Sequence, residues 1–544
     1  MKIHKISILM LAAVTLAACD DIDDILPESG TITAEQLQET TSALPERLDA
    51  TFAGMFTMMG QPFAVFGTSS GRADDFGFIS AAISQDYEGA DMIANDNGYN
   101  WFSPALEFSS RNADYANPYM RYTQPYRQIG VANDIINAVD ISSASDETLA
   151  QVGQAYAMIA FDYLSLAPYF QFTYEIAKDE PCVPVIADSL DATNNPRATV
   201  AQVYEIIIDK LNTAIELLDG YVRSDKTEID QQVAYGLRAR AYLNMCEYEK
   251  AAEDAEKAME GYTPASMSDV SVPTFCDLAE ENWMWGIDIT DDMVSSYHYP
   301  TSPSWICAFT GDGYGPYCDV VPCINKLLYD KIPSTDVRKG WWLDENCHSD
   351  NWASLTWDGA TGDEIASLIV EDSKLAEYGP YTNIKFALKS GVGSTINNND
   401  WCLMRVEEMI LLRAEALYQA GNTSEAQSVV ESFVKTYRDP SYSFTAGGRD
   451  GLDEIWYQRR VELWGEGFFA SDAKRLNKPI VRFHDADDSN YPDAFMFNIE
   501  ADDGWLNMRF PTSEMNTNFG IVDNTGGSLP VSGQNPSLRD GVTD

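Results

Sequence analysis

Apolar residues recur at intervals of three and four along two long parts of the chain, and this spacing constrains the fold more than any other feature. It places one apolar stripe on each helix, and a neighbouring helix must cover that stripe. Gly220 and Gly421 stand just past two such segments, where helices commonly end. The spacing predicts helices over about residues 118–140, 147–166, 199–219, 230–245, 248–260, 401–420, 424–437 and 452–464.

Two stretches, residues 241–251 and 416–426, resemble each other. Each is similar to the turn between the paired helices of a tetratricopeptide repeat, where a small residue lets the chain reverse and alanines let the helices approach closely. Gly421 keeps this pattern, whereas Cys246 departs from it. We therefore predict a mainly α fold, with a tetratricopeptide-like scaffold over about residues 31–264 and 401–475.

The stretch between these two parts, residues 265–400, is rich in Trp, Tyr, Gly, Pro and Asn and shows little helical spacing. Its clearest strand is Glu281–Ile289, where large apolar residues take alternate positions. We predict a long loop-rich insertion with short strands here, and an irregular segment over about residues 476–544. Long irregular segments of compact proteins are usually functional. Four tryptophans are assigned mainly to the core: Trp283, Trp285, Trp341 and Trp342.

Lys2 and Lys5 lie near the start of the chain, and an apolar run, Ile6–Ala18, follows them. This pattern predicts a secretory signal peptide over residues 1–18, because the run is shorter than the roughly 20 residues that span a bilayer. The run ends in Leu-Ala-Ala-Cys, which resembles the lipobox of bacterial lipoproteins, so we expect Cys19 to be acylated. Residues 19–30 hold four early aspartates and are predicted to be an acidic tether or surface-export signal, and residues 31–544 a single domain.

Charge excludes one class of partner. The chain has 84 acidic and 36 basic side chains, a net charge of −48, which repels nucleic acid and anionic surfaces. Neutral glycans are compatible, since stacking and hydrogen bonds recognise them. The cysteines after Cys19 form no C-x-x-C pair and have no histidine at metal spacing, so neither a metal nor a cofactor is predicted. In an exported protein, a disulfide between two of the cysteines of the insertion could cross-link a long loop; the candidates are Cys307, Cys318, Cys323 and Cys347.

Several short motifs follow one another in a specific order. They are Tyr126–Ile129 with Ala132 and Asn133, Ala234–Ala258, Ser334–Arg338, Arg405–Glu408 with Leu411 and Ala414–Ala416, Arg459–Phe469 with Asp472 and Arg475, Phe510–Asn518, and Gln534–Pro536. Over most of its length the chain thereby resembles the SusD/RagB family of nutrient-binding lipoproteins. We expect these motifs to be structural, with Arg405 and Glu408 paired on one helix face and Glu462, Glu466 and Arg475 in similar roles.

The resemblance implies an outer-membrane, cell-surface lipoprotein that captures oligosaccharide or polysaccharide and passes it to a TonB-dependent, SusC-like barrel. In this family the ligand contacts commonly come from the loop before the early helix and from the insertion after the strand. Both regions combine aromatic rings, which can cover the apolar face of a pyranose, with side chains that bind its hydroxyls. The candidate ligand-binding residues are Asp74, Tyr99, Asn100, Trp101, Tyr299, Trp305 and Tyr314.

Two other functions stay open. The same fold could present a peptide- or protein-binding surface. A hydrolase is the other alternative: Gly67–Gly71 matches G-x-S-x-G in letters, but a nucleophile elbow must lie between a strand and a helix, and no such helix start follows. A glycosidase needs only two carboxylates, for which Asp74 and Asp75 are candidates. We predict binding without catalysis.

Overall fold

The computed structural model describes residues 46–95, 97–186, 193–353, 379–485 and 488–544, together with Gln38 and short pieces between residues 355 and 364. The predicted signal peptide, Cys19 and the acidic tether lie outside the described residues. Among the helices that the structure describes, none is both long enough and apolar enough to cross a membrane.

The chain is mainly α, as predicted, and each segment with helical spacing contains a long helix. Two further helices, Glu46–Thr57 and Gly77–Tyr87, were not predicted. The helices are α1 (Glu46–Thr57), α2 (Gly77–Tyr87), α3 (Ser103–Glu107), α4 (Ala116–Asn137), α5 (Asp146–Phe170), α6 (Tyr174–Ala177), α7 (Val200–Leu217), α8 (Gln231–Asn244), α9 (Tyr248–Ala258), α10 (Met267–Val270), α11 (Asp291–Val294), α12 (Ser302–Ile306), α13 (Tyr314–Cys318), α14 (Lys326–Tyr329), α15 (Val406–Gln419), α16 (Thr423–Tyr437), α17 (Gly451–Glu462), α18 (Phe469–Arg475) and α19 (Thr512–Thr517).

The strands are short and pair antiparallel, β1 with β5, β2 with β3, β4 with β8 and β6 with β7. Among the strands of the described residues, only β4 and β8 reach five residues, and they join the insertion to the second half of the scaffold. The strands are β1 (Met92–Ile93), β2 (Pro181–Pro184), β3 (Arg197–Thr199), β4 (Trp283–Ile287), β5 (Cys323–Ile324), β6 (Thr356–Trp357), β7 (Ala360–Thr361) and β8 (Trp401–Arg405).

The long helices stack in a continuous series. Helix α4 packs on α5, α5 on α7, α7 on α8, α8 on α9, α9 on α15, and α15 on both α16 and α17. Close approach is possible because α9 turns small residues inward, among them Ala251, Ala255 and Ala258, all fully buried. Since α9 and α15 are neighbours in space, the insertion leaves the scaffold between two adjoining helices.

Side chains at the helix starts explain where these helices begin. The Thr199 hydroxyl accepts a hydrogen bond from the backbone N–H of Gln202, whose side chain accepts one from the Thr199 N–H, which forms a capping box for α7. Asp230 caps α8 in a similar way through the backbone N–H of Val233. At the predicted repeat turns, Gly421 has a φ of 89° and Cys246 a φ of 60°, so both turns use the left-handed conformation.

One boundary prediction is wrong. Residues 401–405 were expected to begin a helix, but they form β8 and pair with β4, with Trp401 opposite Ile287 and Arg405 opposite Trp283. Helix α15 starts only at Val406. The short apolar run Trp401–Arg405 is compatible with either a helix or a buried strand. Its pairing with β4 in the folded chain makes it a strand. The predicted strand in Glu281–Ile289 is confirmed, and Trp283, Trp285, Trp341 and Trp342 are buried in the core as expected.

Because Arg405 lies in a strand, its predicted pairing with Glu408 is also wrong. The Arg405 guanidinium binds the carboxylates of Glu462 and Glu466, each at 2.8 Å. Glu408 instead binds Arg240 of α8 at 2.6 Å. The expectation that these residues are structural is nevertheless correct, since Glu462 is completely buried.

Arg405 belongs to a larger buried ion network. Glu462 also binds Arg438 at 2.7 Å and Arg338 at 3.2 Å, and Lys385 binds Glu466 at 2.6 Å. Burial alone would raise the pKa of Glu462, but the guanidiniums of Arg438 and Arg405 hold that pKa well below its usual range. The network therefore fastens the insertion to the scaffold. Its members are Asp336, Arg338, Lys385, Arg405, Glu407, Arg438, Glu462 and Glu466.

The disulfide considered for the insertion does not form at Cys307, Cys318 or Cys323, which are free thiols. The Cys307 thiol donates to the backbone oxygen of Phe386 at 3.4 Å. Burial raises the pKa of Cys307 to about 12, so this thiol is a packed core group rather than a reactive one.

Candidate functional site

The two predicted ligand-binding regions lie next to each other. The side-chain amide of Asn95 donates to the backbone oxygen of Asp319 at 3.3 Å and to its carboxylate at 3.0 Å. The amide of Asn97 donates to the backbone oxygen of Cys318, at the end of α13. The loop before α4 is therefore fixed against the insertion.

An open cleft, which we call the aromatic cleft, lies at this loop and contains about 960 Å³ of empty space, including its opening to solvent. Tyr99 and Tyr115 line it with 61% and 46% of their surface exposed. Trp101 lies beside them and is half-buried. Accessible ring faces next to polar groups such as Ser110 and Asp114 form a surface that can hold a sugar ring.

Arg72 organises the wall of the aromatic cleft, although sequence reasoning did not single it out. Its guanidinium carbon lies 5.0 Å from the ring centroid of Trp101 and 5.4 Å from that of Phe66. Its Nη2 donates to the Asp74 carboxylate at 2.7 Å. These contacts fix both the guanidinium and the Trp101 ring before any ligand arrives. No local spacing in the sequence distinguishes this arginine from a surface one.

Asp74 is not available to a ligand, which corrects its place among the predicted contacts. Asp74 is 1% exposed, and its buried carboxylate forms an ion pair with Arg72. Asp75 is equally buried and accepts the backbone N–H groups of Val65 and Phe66. Burial raises the pKa of both carboxyls, with Arg72 opposing that shift at Asp74. Neither carboxyl has the exposure that acid–base work on a glycan requires.

Asn100 is also a structural residue rather than a contact. It is 6% exposed, its amide donates to the backbone oxygen of Asn95 at 3.1 Å, and its side-chain oxygen accepts the N–H of Phe102 at 2.9 Å. These two bonds shape the loop that presents Tyr99 and Trp101. Burial gives Asn100 a structural role in place of the predicted ligand contact, and contact by Tyr99 and Trp101 stays a prediction.

Trp305 supports the second aromatic surface from inside the core. It is fully buried, and its indole N–H donates to the backbone oxygen of Ala73 at 3.0 Å. Its ring stacks on Tyr314 at 4.5 Å with an angle of 9° between the planes. Tyr314 is half-buried and meets Tyr299, which is 45% exposed, edge to face at 5.2 Å. Direct contact with a ligand is therefore open to Tyr299 and Tyr314 but not to Trp305.

The structure gives no support to the serine-hydrolase alternative. Ser69 lies in the short 3-10 turn Thr68–Ser70, which follows a loop and whose residues are exposed. An elbow nucleophile needs a strand on one side and a helix on the other. Across the part of the chain that the structure describes, no group of three or more His, Cys, Asp or Glu residues is placed to hold a metal ion.

Two family models match the chain. Residues 78–243 match one described as "Starch-binding associating with outer membrane", and residues 339–526 match one described as "SusD family". Together the two matches cover more than half of the sequence, and they include most of the scaffold and part of the insertion. A comparison with curated proteins found no match.

Solved structures share the fold. A SusD-like carbohydrate binding protein from Bacteroides vulgatus is 23% identical, with a TM-score of 0.69 over 88% of this chain and 97% of that one. A SusD superfamily protein from Bacteroides thetaiotaomicron is 20% identical, with a TM-score of 0.67 over 88% and 99%. A laminarin binding SusD-like protein is 17% identical, with a TM-score of 0.61 over 88% and 99%.

Proposed function

Because this chain belongs to the SusD/RagB family, we propose that it binds glycan in the aromatic cleft. The observation that carries the proposal is the pair of exposed rings, Tyr99 and Tyr115, beside the fixed ring of Trp101 in one open cleft. Soluble proteins rarely expose several large rings side by side. Rings exposed around a concave surface therefore favour a ligand-binding role. Tyr299 and Tyr314 form a second aromatic surface in the insertion, which we include in the proposed binding surface.

The proposed ligand is a neutral oligosaccharide or polysaccharide. The chain carries a net charge of −48, which disfavours anionic polymers at moderate ionic strength. Arg72, the cation in the cleft, is already paired with Asp74 and is therefore a directional hydrogen-bond donor rather than an unbalanced charge.

A binding screen against purified polysaccharides tests this proposal. Laminarin is a reasonable first probe, since a protein of the same fold is described as laminarin binding. We expect saturable binding of at least one neutral glycan without release of shorter products. Retention of peptides but no glycan would favour the peptide-binding alternative, and product formation would favour a hydrolase.

We further propose that acylated Cys19 anchors the protein in the outer membrane at the cell surface. Bacterial lipoproteins carry several acyl chains, and a single chain would give only marginal binding. Cys19→Ala should move the protein from the membrane fraction to the soluble fraction, with Cys246→Ala as a matched control that stays membrane-bound. An unchanged membrane fraction for Cys19→Ala would exclude this anchor.

A TonB-dependent, SusC-like barrel is the proposed partner that receives the glycan. Tethering to the same membrane raises the effective concentration of the two proteins, so a modest interface can be well occupied. In mild detergent and with glycan present, the protein should co-purify with a barrel protein in near-equal amounts. Recovery of the anchored protein alone would contradict the transfer step and leave glycan binding intact.

A further inference from the structure

The loop that carries the exposed ring of Tyr99 contains Asn97 followed by Gly98, which is the one Asn-Gly dipeptide in the whole chain. Both residues are exposed, and Gly98 and Tyr99 line the aromatic cleft. An asparagine loses its side-chain amide most readily when glycine follows it, because no side chain shields the next backbone nitrogen. The dipeptide is therefore a candidate modification site in the wall of the cleft.

Hydrogen bonds hold the Asn97 side chain against its own backbone. Its Oδ1 accepts the backbone N–H of Tyr99 at 3.1 Å, and its Nδ2 donates to the backbone oxygen of Cys318. A side-chain oxygen that accepts from the nitrogen two residues ahead lies over the intervening peptide. The Cγ carbon of Asn97 is thereby held beside the peptide of Gly98, whose nitrogen is the group that attacks it in deamidation.

The N–H of Tyr99 also activates the side-chain amide of Asn97. It donates to the oxygen on which negative charge develops when a nucleophile adds to Cγ. A backbone donor at this position stabilises the tetrahedral intermediate of acyl transfer. The bond from Nδ2 to Cys318 keeps the amide in the orientation that presents Oδ1 to Tyr99. The loop thus supplies an aligned and polarised amide.

Gly98 leaves the reacting nitrogen open to solvent. Its φ is 83°, a conformation that glycine adopts without strain. A β carbon placed on Gly98 would meet no atom within 4 Å beyond the neighbouring residues, so solvent reaches this face of the loop. Hydroxide can therefore remove the proton from the Gly98 nitrogen, and water can reach the product.

We propose that Asn97 is a site of spontaneous deamidation. The Gly98 nitrogen, after losing its proton to hydroxide, bonds to Cγ of Asn97 and expels Nδ2 as ammonia, which leaves a cyclic succinimide. Water then adds to either ring carbonyl and breaks the bond from that carbon to nitrogen. Residue 97 becomes aspartate or isoaspartate, and the only co-reactant is water.

Deamidation weakens the contact between the cleft loop and the insertion. Nδ2 of Asn97 is the donor to Cys318, and a carboxylate has only acceptors to offer to that backbone oxygen. The new negative charge also lies close to Asp319, whose carboxylate accepts from Asn95 at 3.0 Å. The loop that presents Tyr99 is then less firmly placed, so glycan affinity falls. This loss of affinity rests on the proposed glycan binding, whereas the deamidation itself does not.

Peptide mapping of the full purified chain by mass spectrometry tests the modification. The protein is incubated at mildly alkaline pH in water labelled with heavy oxygen. Asn95 is the internal control, since it is exposed in the same loop but is followed by aspartate. We expect conversion at Asn97 to be at least about tenfold faster than at Asn95, with labelled oxygen in the product and slower conversion at mildly acidic pH.

Asn97→Gln is the chemical control, because its longer side chain must close a larger ring and should stay unconverted at this position. Equal rates at Asn97 and Asn95 in the wild type would overturn the proposal. Conversion of Asn97 in the denatured chain but not in the folded chain would also overturn it, since the fold would then protect the amide.

Asn97→Asp reproduces one product without incubation and tests the effect on the cleft. With a glycan identified by the screen, it should bind at least about threefold more weakly than the wild type. Asn346→Asp adds the same charge at an exposed position outside the cleft and should not change the affinity. Wild-type affinity in Asn97→Asp would overturn the effect on the cleft. If no glycan binds the fresh wild type, the proposed function fails, and the mass measurement still decides the modification.

Discussion

Arg405 in the buried ion network and Arg72 in the aromatic cleft are both paired with carboxylates, but their surroundings differ. The Arg405 side chain is 1% exposed and donates to Glu462 and Glu466. The Arg72 side chain is 25% exposed, has one carboxylate partner and lies between two rings. A buried guanidinium that is paired with two carboxylates stabilises the fold, whereas a guanidinium with exposed surface can still contact a ligand.

This difference explains what the family motifs encode. The motifs around Arg338, Arg405 and Glu462 converge in the network, far along the chain from the cleft loop. They therefore identify the scaffold and its attached insertion. The proposed ligand contacts, Tyr99 and Trp101, lie outside these motifs.

The largest expected effect is on the network. Glu462→Gln leaves Arg405, Arg438 and Arg338 without their shared buried carboxylate, so the free energy of unfolding should fall by about 3–5 kcal/mol. Denaturant unfolding measures this. Glu425→Gln is the control, because its pair with Arg413 has a 53% exposed carboxylate and should change stability by less than about 1 kcal/mol. Equal losses in the two variants would remove the distinction between buried and surface pairs.

Trp305→Ala tests whether the buried ring supports the cleft rather than contacts ligand. Loss of a fully buried tryptophan should lower the free energy of unfolding by about 3–5 kcal/mol, because the cavity is left next to Tyr314 and Phe102. Thermal and denaturant unfolding measure the loss. Wild-type stability together with reduced glycan affinity in this variant would indicate that Trp305 contacts the ligand directly.

Trp101→Ala should have the opposite profile. With a glycan identified by the screen, affinity should fall by about 1–3 kcal/mol, by analogy with stacking of bases on aromatic side chains. The stability loss should be smaller than for Trp305→Ala, since Trp101 is only half-buried. Calorimetry gives the affinity, and Tyr437→Ala, on the scaffold helix α16, serves as an aromatic control outside the cleft. Wild-type glycan affinity in Trp101→Ala would indicate that the glycan binds at Tyr299 and Tyr314 instead.

The last prediction concerns the pH dependence of stability and Asp86, a buried carboxyl that accepts its hydrogen bonds from backbone N–H groups. Burial raises the pKa of Asp86 to about 7, although the N–H groups of Gly467 and Phe469 oppose the shift. Since the folded pKa lies above the ordinary value of 3.8, this carboxyl stabilises the fold at low pH and loses that contribution as pH rises from about 4 to 7.

Asp86→Asn should remove that dependence. The stability of the wild type relative to the variant should decline with a slope of at most about 1.4 kcal/mol per pH unit between pH 4 and 7. Denaturant unfolding at several pH values measures it, and parallel curves for the two proteins would show that Asp86 is charged in the fold.

Local spacing was sufficient to predict the scaffold. Helices α4, α5, α7, α8 and α9 fall where apolar residues recur, and Gly421 ends its helix in the left-handed conformation that a glycine adopts without strain. These features depend on residues within a few positions of one another, so a single sequence contains them. The assignment of Trp283 and Trp341 to the core has the same basis.

The sequence by itself thus determined the long scaffold helices from α4 onward and their order, whereas α1 and α2 were not predicted. Only the tertiary structure decided which polar residues are buried: Asp74, Asn100 and the network around Glu462. It also decided that β8 is a strand, because pairing with β4 satisfies its backbone. Arg460 binds Asp91 across 369 positions of the chain, and Arg405 binds Glu462 across 57. Such partners are specified by how helices stack, and stacking depends on all the side chains between them rather than on any local pattern.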